Sequence, residues 1–271
     1  MRAYDLAIED PNELCGELHP FEGELHQIER GRWSGRAIGW TDDDAAIWIY
    51  ATNRAVHVRS ALQANHLVRT TPLRLAEPAR HNGRSVRVGE SFEFRRGEEN
   101  TEHFPAGIYL DLQLAHPHAP RWPLLVRRCL THLRAMRLDW RTARDALERA
   151  GSPAVASPKE AHLIVVRTTL DRIEDGVVSV PELARGAGVS ERTLYELFAR
   201  EVGTSPYDYV LARRLQQVRR LLRADPVKRG AVTRAATRAG FDHFGQLARL
   251  YKRQFGESPR DTLYAHRKNQ T

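Results

Sequence analysis

Hydrophobic and polar residues alternate along roughly the first 119 residues of the chain. The alternation is clear in four short runs, at residues 54–60, 85–88, 90–94 and 108–114. A period of two residues is typical of half-buried β-strands, and the Gly and Asn residues between the runs are typical of turns. Pro117, Pro120 and Pro123 then end the pattern, because proline removes a backbone donor. The pattern predicts a small antiparallel barrel or sandwich.

From Leu124 the apolar residues recur every three or four positions, which predicts a helix up to Met136 and a second helix over 140–150. The apolar stripe of the first helix either forms a dimer contact or packs on the barrel. Residues 151–158, GSPAVASP, have the composition of a linker. We therefore predict a β domain over 1–119, a helical dimerisation segment over 120–150 and an all-α domain over 158–271.

Two short helices are predicted over residues 179–201. Ser179 and Glu182 have the spacing of a capping box, with Pro181 in the first turn. Gly188 is predicted in the left-handed conformation, and Ser190 is predicted to cap the next helix. Two short helices joined by a tight glycine-containing turn make a helix-turn-helix.

The same plan recurs over residues 231–255. Leu247 and Tyr251 occupy the positions that Leu194 and Phe198 hold in the first unit, 53 residues earlier. A repeat at this level indicates two copies of one small unit. A bridging helix is predicted over 206–223; at 1.5 Å per residue it spans about 27 Å, close to the ~34 Å of one duplex turn. The two second helices would then reach successive major grooves on one face of DNA.

At these residues the chain resembles the AraC/XylS family of bacterial transcription regulators. The resemblance covers about residues 160–265 and is clearest in 239–259, AGFDHFGQLARLYKRQFGESP. Leu247 and Tyr251 stand where the family usually has Phe, and Ala235 stands where Ile is common. The resemblance implies a DNA-binding C-terminal domain and, before it, a cupin-like barrel that binds a small effector and a helical dimerisation segment.

Charge divides the chain in the same way. The formal net charge of +8 combines −5 over residues 1–119 with +5 over 120–156 and +8 over 157–271. The composition is that of an ordinary globular protein, with no signal peptide and no apolar run of membrane-spanning length, which predicts a cytoplasmic protein without membrane contact. Cys15 and Cys129 lie far apart and indicate neither a disulfide framework nor a zinc site.

In the first unit Arg192, Tyr195, Glu196 and Arg200 are predicted to point away from the apolar stripe. Arg192 would fork onto guanine O6 and N7, and Glu196 would accept from cytosine N4. The resemblance implies that positions 192, 195 and 196 read bases. The alternative for Glu196 and Arg200 is an exposed ion pair four residues apart, which contributes little.

In the second unit His243, Gln246 and Arg249 are predicted to face outward, Gln246 toward adenine and Arg249 toward guanine or a phosphate. Phe244 either touches a thymine methyl or belongs to the core. Five arginines of the bridging helix are predicted to include phosphate clamps, namely Arg213, Arg214, Arg219, Arg220 and Arg223.

The N-terminal domain contains two R-x-x-x-R sequences, Arg32 to Arg36 and Arg80 to Arg84. This spacing is similar to that of PilZ-type cyclic-dinucleotide receptors, in which paired guanidinium groups bind phosphate. With Trp33 and Trp48 they form our candidate ligand site for a small effector, which would be anionic if the cyclic-dinucleotide interpretation holds. The alternative for the tryptophans is core packing.

We predict no cofactor, no metal and no enzymatic activity. His116-Pro-His118 resembles the H-x-H of enzymatic cupins, but the downstream Glu and His are missing. The leading hypothesis is a sequence-specific regulator that acts as an activator, with duplex DNA, a small effector, a second copy and RNA polymerase as partners. The alternatives are a metal-dependent cupin-type enzyme fused to a DNA-binding domain, and a repair protein that accepts methyl groups on Cys129, whose basic neighbours could lower its pKa. Position 129 lies on the apolar stripe, which favours a buried thiol instead.

Overall fold

The chain forms two compact units in the computed structural model, which describes residues 2–14, 21–62, 67–94, 97–115, 122–135, 140–149, 161–176, 179–224 and 230–268. The first unit contains Met1–Leu25 and Ser34–Leu163, and the second contains His26–Trp33 and Ile164–Thr271. A segment of eight residues near the N-terminus therefore belongs with the C-terminal residues. The predicted linker at 151–158 lies outside the described residues.

The first unit contains antiparallel strands, as the two-residue period predicts. The strands are β1 (Arg2–Ile8), β2 (Phe21–Gln27), β3 (Gly35–Thr41), β4 (Ala45–Thr52), β5 (Val56–Leu62), β6 (Leu67–Leu75), β7 (Ala79–His81), β8 (Arg84–Val86), β9 (Phe92–Phe94), β10 (Glu99–Phe104) and β11 (Gly107–Leu114), and a short 3-10 helix covers Pro11–Leu14. One sheet has the order β1-β3-β4-β11-β6-β9 and the other β2-β5-β10-β7-β8. Together they form an antiparallel barrel, as the alternation predicts.

Two helices cover the outer face of the six-stranded sheet: α1 (Trp122–Ala135) and α2 (Trp140–Glu148). Leu125, Cys129 and Leu133 of α1 are buried against strand residues such as Ile47 and Ile49. Of the two interpretations of this stripe, packing on the barrel is therefore the one that the structure shows. Dimerisation stays a prediction for the remaining face of α1.

The second unit is built from seven described helices. They are α3 (Ala161–Glu174), α4 (Val180–Gly186), α5 (Glu191–Glu201), α6 (Pro206–Ala224), α7 (Ala231–Arg238), α8 (Phe244–Phe255) and α9 (Pro259–Lys268). Leu194 and Phe198 of α5 lie in one apolar core, and Leu247 and Tyr251 of α8 lie in a second. Helix α6 contributes to both cores. The predicted tandem helix-turn-helix with a bridging helix is confirmed, and with it the α+β fold class.

The turn of the first helix-turn-helix agrees with the prediction on one side and not on the other. Gly188 has φ +70°, in the left-handed region that favours glycine. The Ser190 hydroxyl accepts a hydrogen bond from the Thr193 amide at 3.1 Å. The capping box predicted at Ser179 is wrong: its side chain makes no cap bond, and the first turn of α4 is closed by the Leu183 amide donating to the Ser179 carbonyl at 2.9 Å.

Candidate nucleic-acid interface and ligand cavity

Helix α5 presents the polar side chains that the apolar stripe leaves on its outer face. Arg192 and Glu196 are 89% and 64% exposed, and Arg192 Nε donates to Glu196 Oε1 at 3.0 Å. Tyr195 is 40% exposed. The ion pair between Glu196 and Arg200, which was the alternative interpretation, does not form, because the Arg200 guanidinium instead donates to the buried Glu201 carboxylate at 2.7 Å. Arg200 is thus tied to the body of its unit, whereas the other three lie on an open helix face.

Helix α8 has the equivalent arrangement in the second helix-turn-helix. His243 is the N-cap residue, and His243, Gln246 and Arg249 are exposed. Leu247 is buried in the second core. Phe244 is 44% exposed, so it lies on the surface beside the outward residues and not in the core. An exposed aromatic ring in this position can contact a thymine methyl group.

The arginines of bridging helix α6 correct the sequence interpretation. Arg213 donates to the Ile173 carbonyl, and Arg214 Nε donates to the Ala239 carbonyl at 2.8 Å. Arg219 is buried and lies 3.3 Å from a carboxylate oxygen of Glu257. These three guanidinium groups connect helices of the second unit. Arg219 is too buried to clamp a phosphate, and for Arg213 and Arg214 this role stays a prediction. Arg220 is exposed and Arg223 is half-buried.

Two of these α6 arginines also lie over aromatic rings. Arg214 lies over the Phe241 ring at 4.4 Å, and Arg219 lies over the Phe255 ring at 4.7 Å. A guanidinium group can stack on an aromatic face and bond a carbonyl or carboxylate at its edge at the same time. Gly240, with φ +74°, gives Arg214 its space, because a Cβ there would lie 2.9 Å from Arg214 Nη2.

A cavity of about 90 Å³ lies inside the barrel of the first unit. Residues from both sheets line it, so the two sheets face each other across it. Its described lining consists of apolar Leu14, Leu25, Val56, Val58, Phe94 and Phe104 together with Tyr50, Thr52, Ser60, Thr70, Tyr109 and Asp111. Apolar walls with a few polar groups are typical of small-molecule sites.

Asp111 is the charged residue of this lining. Thr70 Oγ1 donates to its Oδ1, and Gln113 Nε2 donates to its Oδ2 at 3.4 Å. Burial disfavours the carboxylate and raises the pKa of Asp111 to about 7, although both hydrogen bonds oppose the shift. The Tyr109 hydroxyl donates to the Pro105 carbonyl at 2.5 Å, and burial raises the pKa of this phenol also. Near neutral pH the cavity therefore holds a carboxyl group close to its own midpoint of titration.

Comparison with known proteins supports the helix-turn-helix assignment. The family described as helix-turn-helix domain matches residues 183–264. The chain is 38% identical over 98 residues to the XylDLEGF operon transcriptional activator 2 of Pseudomonas putida, and 41% identical over 110 residues to a probable thc operon regulatory protein of Rhodococcus erythropolis. These matches cover 35% and 39% of this chain and 62% and 33% of the two relatives.

The chain is also similar in sequence to a solved structure. A probable AraC family transcriptional regulator from Rhodopseudomonas palustris CGA009 is 34% identical, with 38% of this chain and 96% of that chain covered and a TM-score of 0.34. The chain belongs to the AraC/XylS family. The curated relatives are matched over less than two thirds of their length, and the match lies in the C-terminal, helix-turn-helix part of this AraC/XylS protein.

The predicted ligand residues of this AraC/XylS protein are not brought together. None of the six is among the residues that line the cavity. Arg36 forms a bidentate pair with Asp5 on exposed strand surface, both bonds being 2.7 Å. Arg80 donates to the Gly83 carbonyl at 3.2 Å, and Arg84 lies 3.9 Å from Glu90.

The other three predicted ligand residues, Arg32, Trp33 and Trp48, divide between the two units. Arg32 and Trp33 belong to the second unit. Trp48 packs inside the first, stacked on Tyr50 with ring centroids 6.1 Å apart. Gly39 makes room for it, because a Cβ there would lie 2.3 Å from the indole ring. Core packing is thus the role that the structure shows for Trp48.

Sequence reasoning missed Asp111, although its strand was predicted. In residues 108–114 the polar and apolar residues alternate, which predicts a strand but does not say what the polar set faces. The structure buries both sets, because the apolar set packs toward α1 and α2 and Tyr109 and Asp111 point into the barrel. An acidic residue in the middle of an otherwise favourable strand was the available signal.

Two alternative chemistries can be judged from the described residues. Cys129 is fully buried, as its place on the apolar stripe predicts, and burial raises the pKa of its thiol to about 12, which does not favour the methyl-acceptor alternative. Among the residues that the structure describes, no group of three or more His, Cys, Asp or Glu side chains is arranged to hold a metal ion. His116 and His118 lie outside those residues. No described helix has the length and apolar character needed to cross a membrane.

Proposed function

We propose that the chain is a sequence-specific DNA-binding transcription regulator that activates its target genes. The observation that carries the proposal is the pair of open helix faces, Arg192, Tyr195 and Glu196 on α5 and His243, Gln246 and Arg249 on α8. Each face lies on the second helix of a helix-turn-helix, the helix that enters the major groove in this motif. The P. putida relatives carry the name transcriptional activator, which supports the direction of regulation.

The two faces combine donors and acceptors that discriminate between base pairs. An arginine fork suits guanine, a glutamine amide suits adenine and a carboxylate accepts from cytosine. The Arg192–Glu196 pair at 3.0 Å would open or tilt so that each group reaches its own base. An exposed pair of this kind contributes little to stability, so opening it costs little.

The experiment selects a preferred sequence from random duplexes with the full chain and then measures the affinity of variants for it. Arg192→Ala should lose about 1–3 kcal/mol on the selected sequence and relax the preference at one base pair. Arg220→Ala, a control on the exposed side of α6, should weaken selected and random DNA alike. An equal loss for Arg192→Ala on both kinds of DNA contradicts base reading by Arg192.

For the N-terminal domain we propose a small effector in the barrel cavity. The cavity volume and its mainly apolar lining favour a small, largely apolar molecule with one polar group that meets Asp111 or a lining hydroxyl. Apolar cavities of comparable size, about 150 Å³, bind molecules such as benzene. A cyclic dinucleotide is larger and doubly anionic, and the cavity lining offers it no described arginine. Binding of such an anion at Arg80 and Arg84 stays a separate prediction.

The remaining partners follow from this function. An activator contacts RNA polymerase, and a regulator of this kind works in the cytoplasm without enzymatic turnover. A second copy of the chain would use the face of α1 that the barrel leaves exposed, where Leu124 and Arg128 lie.

A further inference from the structure

Residues 26–33, which we name the strap, comprise the last two residues of β2 and the segment that leads from β2 toward β3, and they belong to the second unit. Gln27 is its anchor. Its backbone amide donates to Gln216 Oε1 on α6 at 3.3 Å, and its side-chain amide donates to the Gln254 carbonyl on α8 at 3.0 Å. Gln254 Nε2 returns a hydrogen bond to the Gln27 carbonyl at 2.9 Å. All three glutamines are buried, where a lost bond leaves an unsatisfied polar group.

The strap makes further contacts with the last turn of α8. The Gly31 amide lies 3.2 Å and 3.1 Å from the carbonyls of Arg253 and Gln254. These carbonyls lie in the last turn of a helix, where carbonyl groups have no hydrogen-bond donor within the helix. At Gly256, which follows α8, a Cβ would lie 3.1 Å from Arg32 Cβ, so the strap and the end of the helix are in close contact.

The same eight residues also contact the first helix-turn-helix and the start of α6. Ile28 packs against the apolar core that contains Leu194 and Phe198. Arg30 pairs with Asp208 at 3.0 Å. His26 meets the ring of Tyr209 edge-on, with centroids 5.7 Å apart. One short segment therefore contacts the first core, the bridging helix and the end of the second recognition helix.

In the second helix-turn-helix, the first helix packs through small side chains. The buried side chains of α7 are Ala231, Ala235 and Ala236, which are the smallest apolar side chains available. Because burial free energy follows apolar area, an alanine face holds its partner helix less firmly than a face of larger residues. Contacts at the C-terminus of α8 restrict its tilt in a way that α7 alone does not.

We infer that the strap is a positioning element of the DNA-reading unit, which fixes the second recognition helix relative to the bridging helix and to the first recognition helix. The inference rests on the proposed DNA-binding function. Two recognition helices bind one DNA face only when their spacing and tilt match successive grooves. Gln27 and Gln254 would not touch DNA; they would act through the orientation of α8.

The test compares Gln27→Ala and Gln254→Ala with Gln217→Ala in the full chain. Gln217 is the half-buried neighbour of Gln216 on α6 and takes no part in the contacts described for the strap, so it controls for loss of a glutamine. Affinity and hydroxyl-radical footprints are measured on a duplex selected by the wild-type chain. We expect the strap variants to bind about tenfold more weakly, as one lost buried hydrogen bond implies, and to lose protection over one half of the site only. Gln217→Ala should keep its affinity within twofold and the full footprint.

Two outcomes overturn the inference. The first is that Gln27→Ala binds the selected duplex with wild-type affinity and a wild-type footprint. The second is that the variant loses protection equally over both halves of the DNA site, which would show a general loss of stability. If thermal unfolding shows that Gln27→Ala does not fold, Gln27→Met replaces it, because it removes the side-chain bonds at similar volume. If the wild-type chain selects no sequence, the proposed DNA-binding function fails and the strap inference falls with it; if the wild type binds and the strap variants are unchanged, only the strap inference fails.

Discussion

A single carboxyl group gives the first unit a pH-dependent stability. Asp111 is fully buried inside the barrel, and burial raises its pKa from 3.8 to about 7. The folded chain therefore holds a proton in the interval in which the unfolded chain has released it. Because the folded state binds more protons there, the free energy of unfolding falls as the pH rises from about 4 to about 7.

Replacing Asp111 with Asn should remove this contribution. One proton corresponds to a slope of up to about 1.4 kcal/mol per pH unit. Urea unfolding of the wild type and of Asp111→Asn at pH 5, 6, 7 and 8 measures the difference between the two slopes, which cancels the titration of other groups. We expect the wild type to lose stability relative to the variant up to about pH 7 and to run parallel to it above that pH. Parallel curves over the whole range contradict a raised pKa.

The same residue shows what alternation cannot reveal. Periodicity correctly predicts the strand that contains Ile108 and Leu114, but it does not say whether the polar face meets water or the interior of a barrel. That distinction depends on β5 and β10, which lie far from Asp111 in the sequence and close to it across the cavity. The cavity residues were missed for this reason, whereas Arg192 and Gln246 could be predicted because a helix fixes its own outward face.

At the scale of elements, the same local sequence signal does not always produce the same contact. Ser190 and Ser179 both precede short helices, and the Ser190 hydroxyl caps α5 while Ser179 makes no side-chain cap. The sequence signal was if anything stronger at Ser179, with its Glu182 and Pro181. Both helices begin with the same backbone bond, from the Leu183 amide to the Ser179 carbonyl and from the Leu194 amide to the Ser190 carbonyl, each at 2.9 Å, so the difference lies in the side-chain cap alone.

The two serines make a matched pair for measurement. Ser190→Ala should lower the free energy of unfolding by about 1 kcal/mol, because it removes the acceptor of the Thr193 amide. Ser179→Ala should change it by less than about 0.5 kcal/mol. Chemical denaturation followed by circular dichroism gives both values. Equal losses in the two variants would contradict the difference in capping.

The bridging helix marks the limit of prediction for an element. Its period and its bounds follow from the sequence, since a 3.6-residue repeat needs no knowledge of neighbours. The roles of Arg214 and Arg219 do not, because their partners are a carbonyl in the second turn and a carboxylate beyond α8. An arginine count predicts charge, and only the tertiary partners show which charges are available to DNA.

At the scale of the whole molecule, the effector proposal makes the next prediction. Phenol, a small apolar probe with one hydroxyl, should raise the melting temperature of the full chain because it binds only the folded state. Val58→Phe narrows the cavity and should abolish the rise. Cyclic diguanylate should have no effect. A rise with the cyclic dinucleotide that disappears in Arg80→Ala or Arg84→Ala would favour the anionic effector instead.

The overall charge of +8 also depends on the whole chain. An acidic barrel is followed by helical segments that carry a net charge of +13 in total. Three of the α6 arginines have partners inside the second unit. The charge available to DNA is therefore smaller than the count suggests. The mass of the chain in solution at micromolar concentration shows whether two copies, and with them two basic C-terminal halves, associate.

The strap has a consequence for how this protein can be taken apart. A chimaera that joins residues 158–271 to another sensor would carry both helix-turn-helix units but leave Gln27 and Ile28 behind. Leu25 lines the barrel cavity and the next residue begins the strap, so the proposed effector site and the proposed DNA-reading unit are adjacent along the chain at this point. The second unit is therefore not encoded by one continuous segment of the gene.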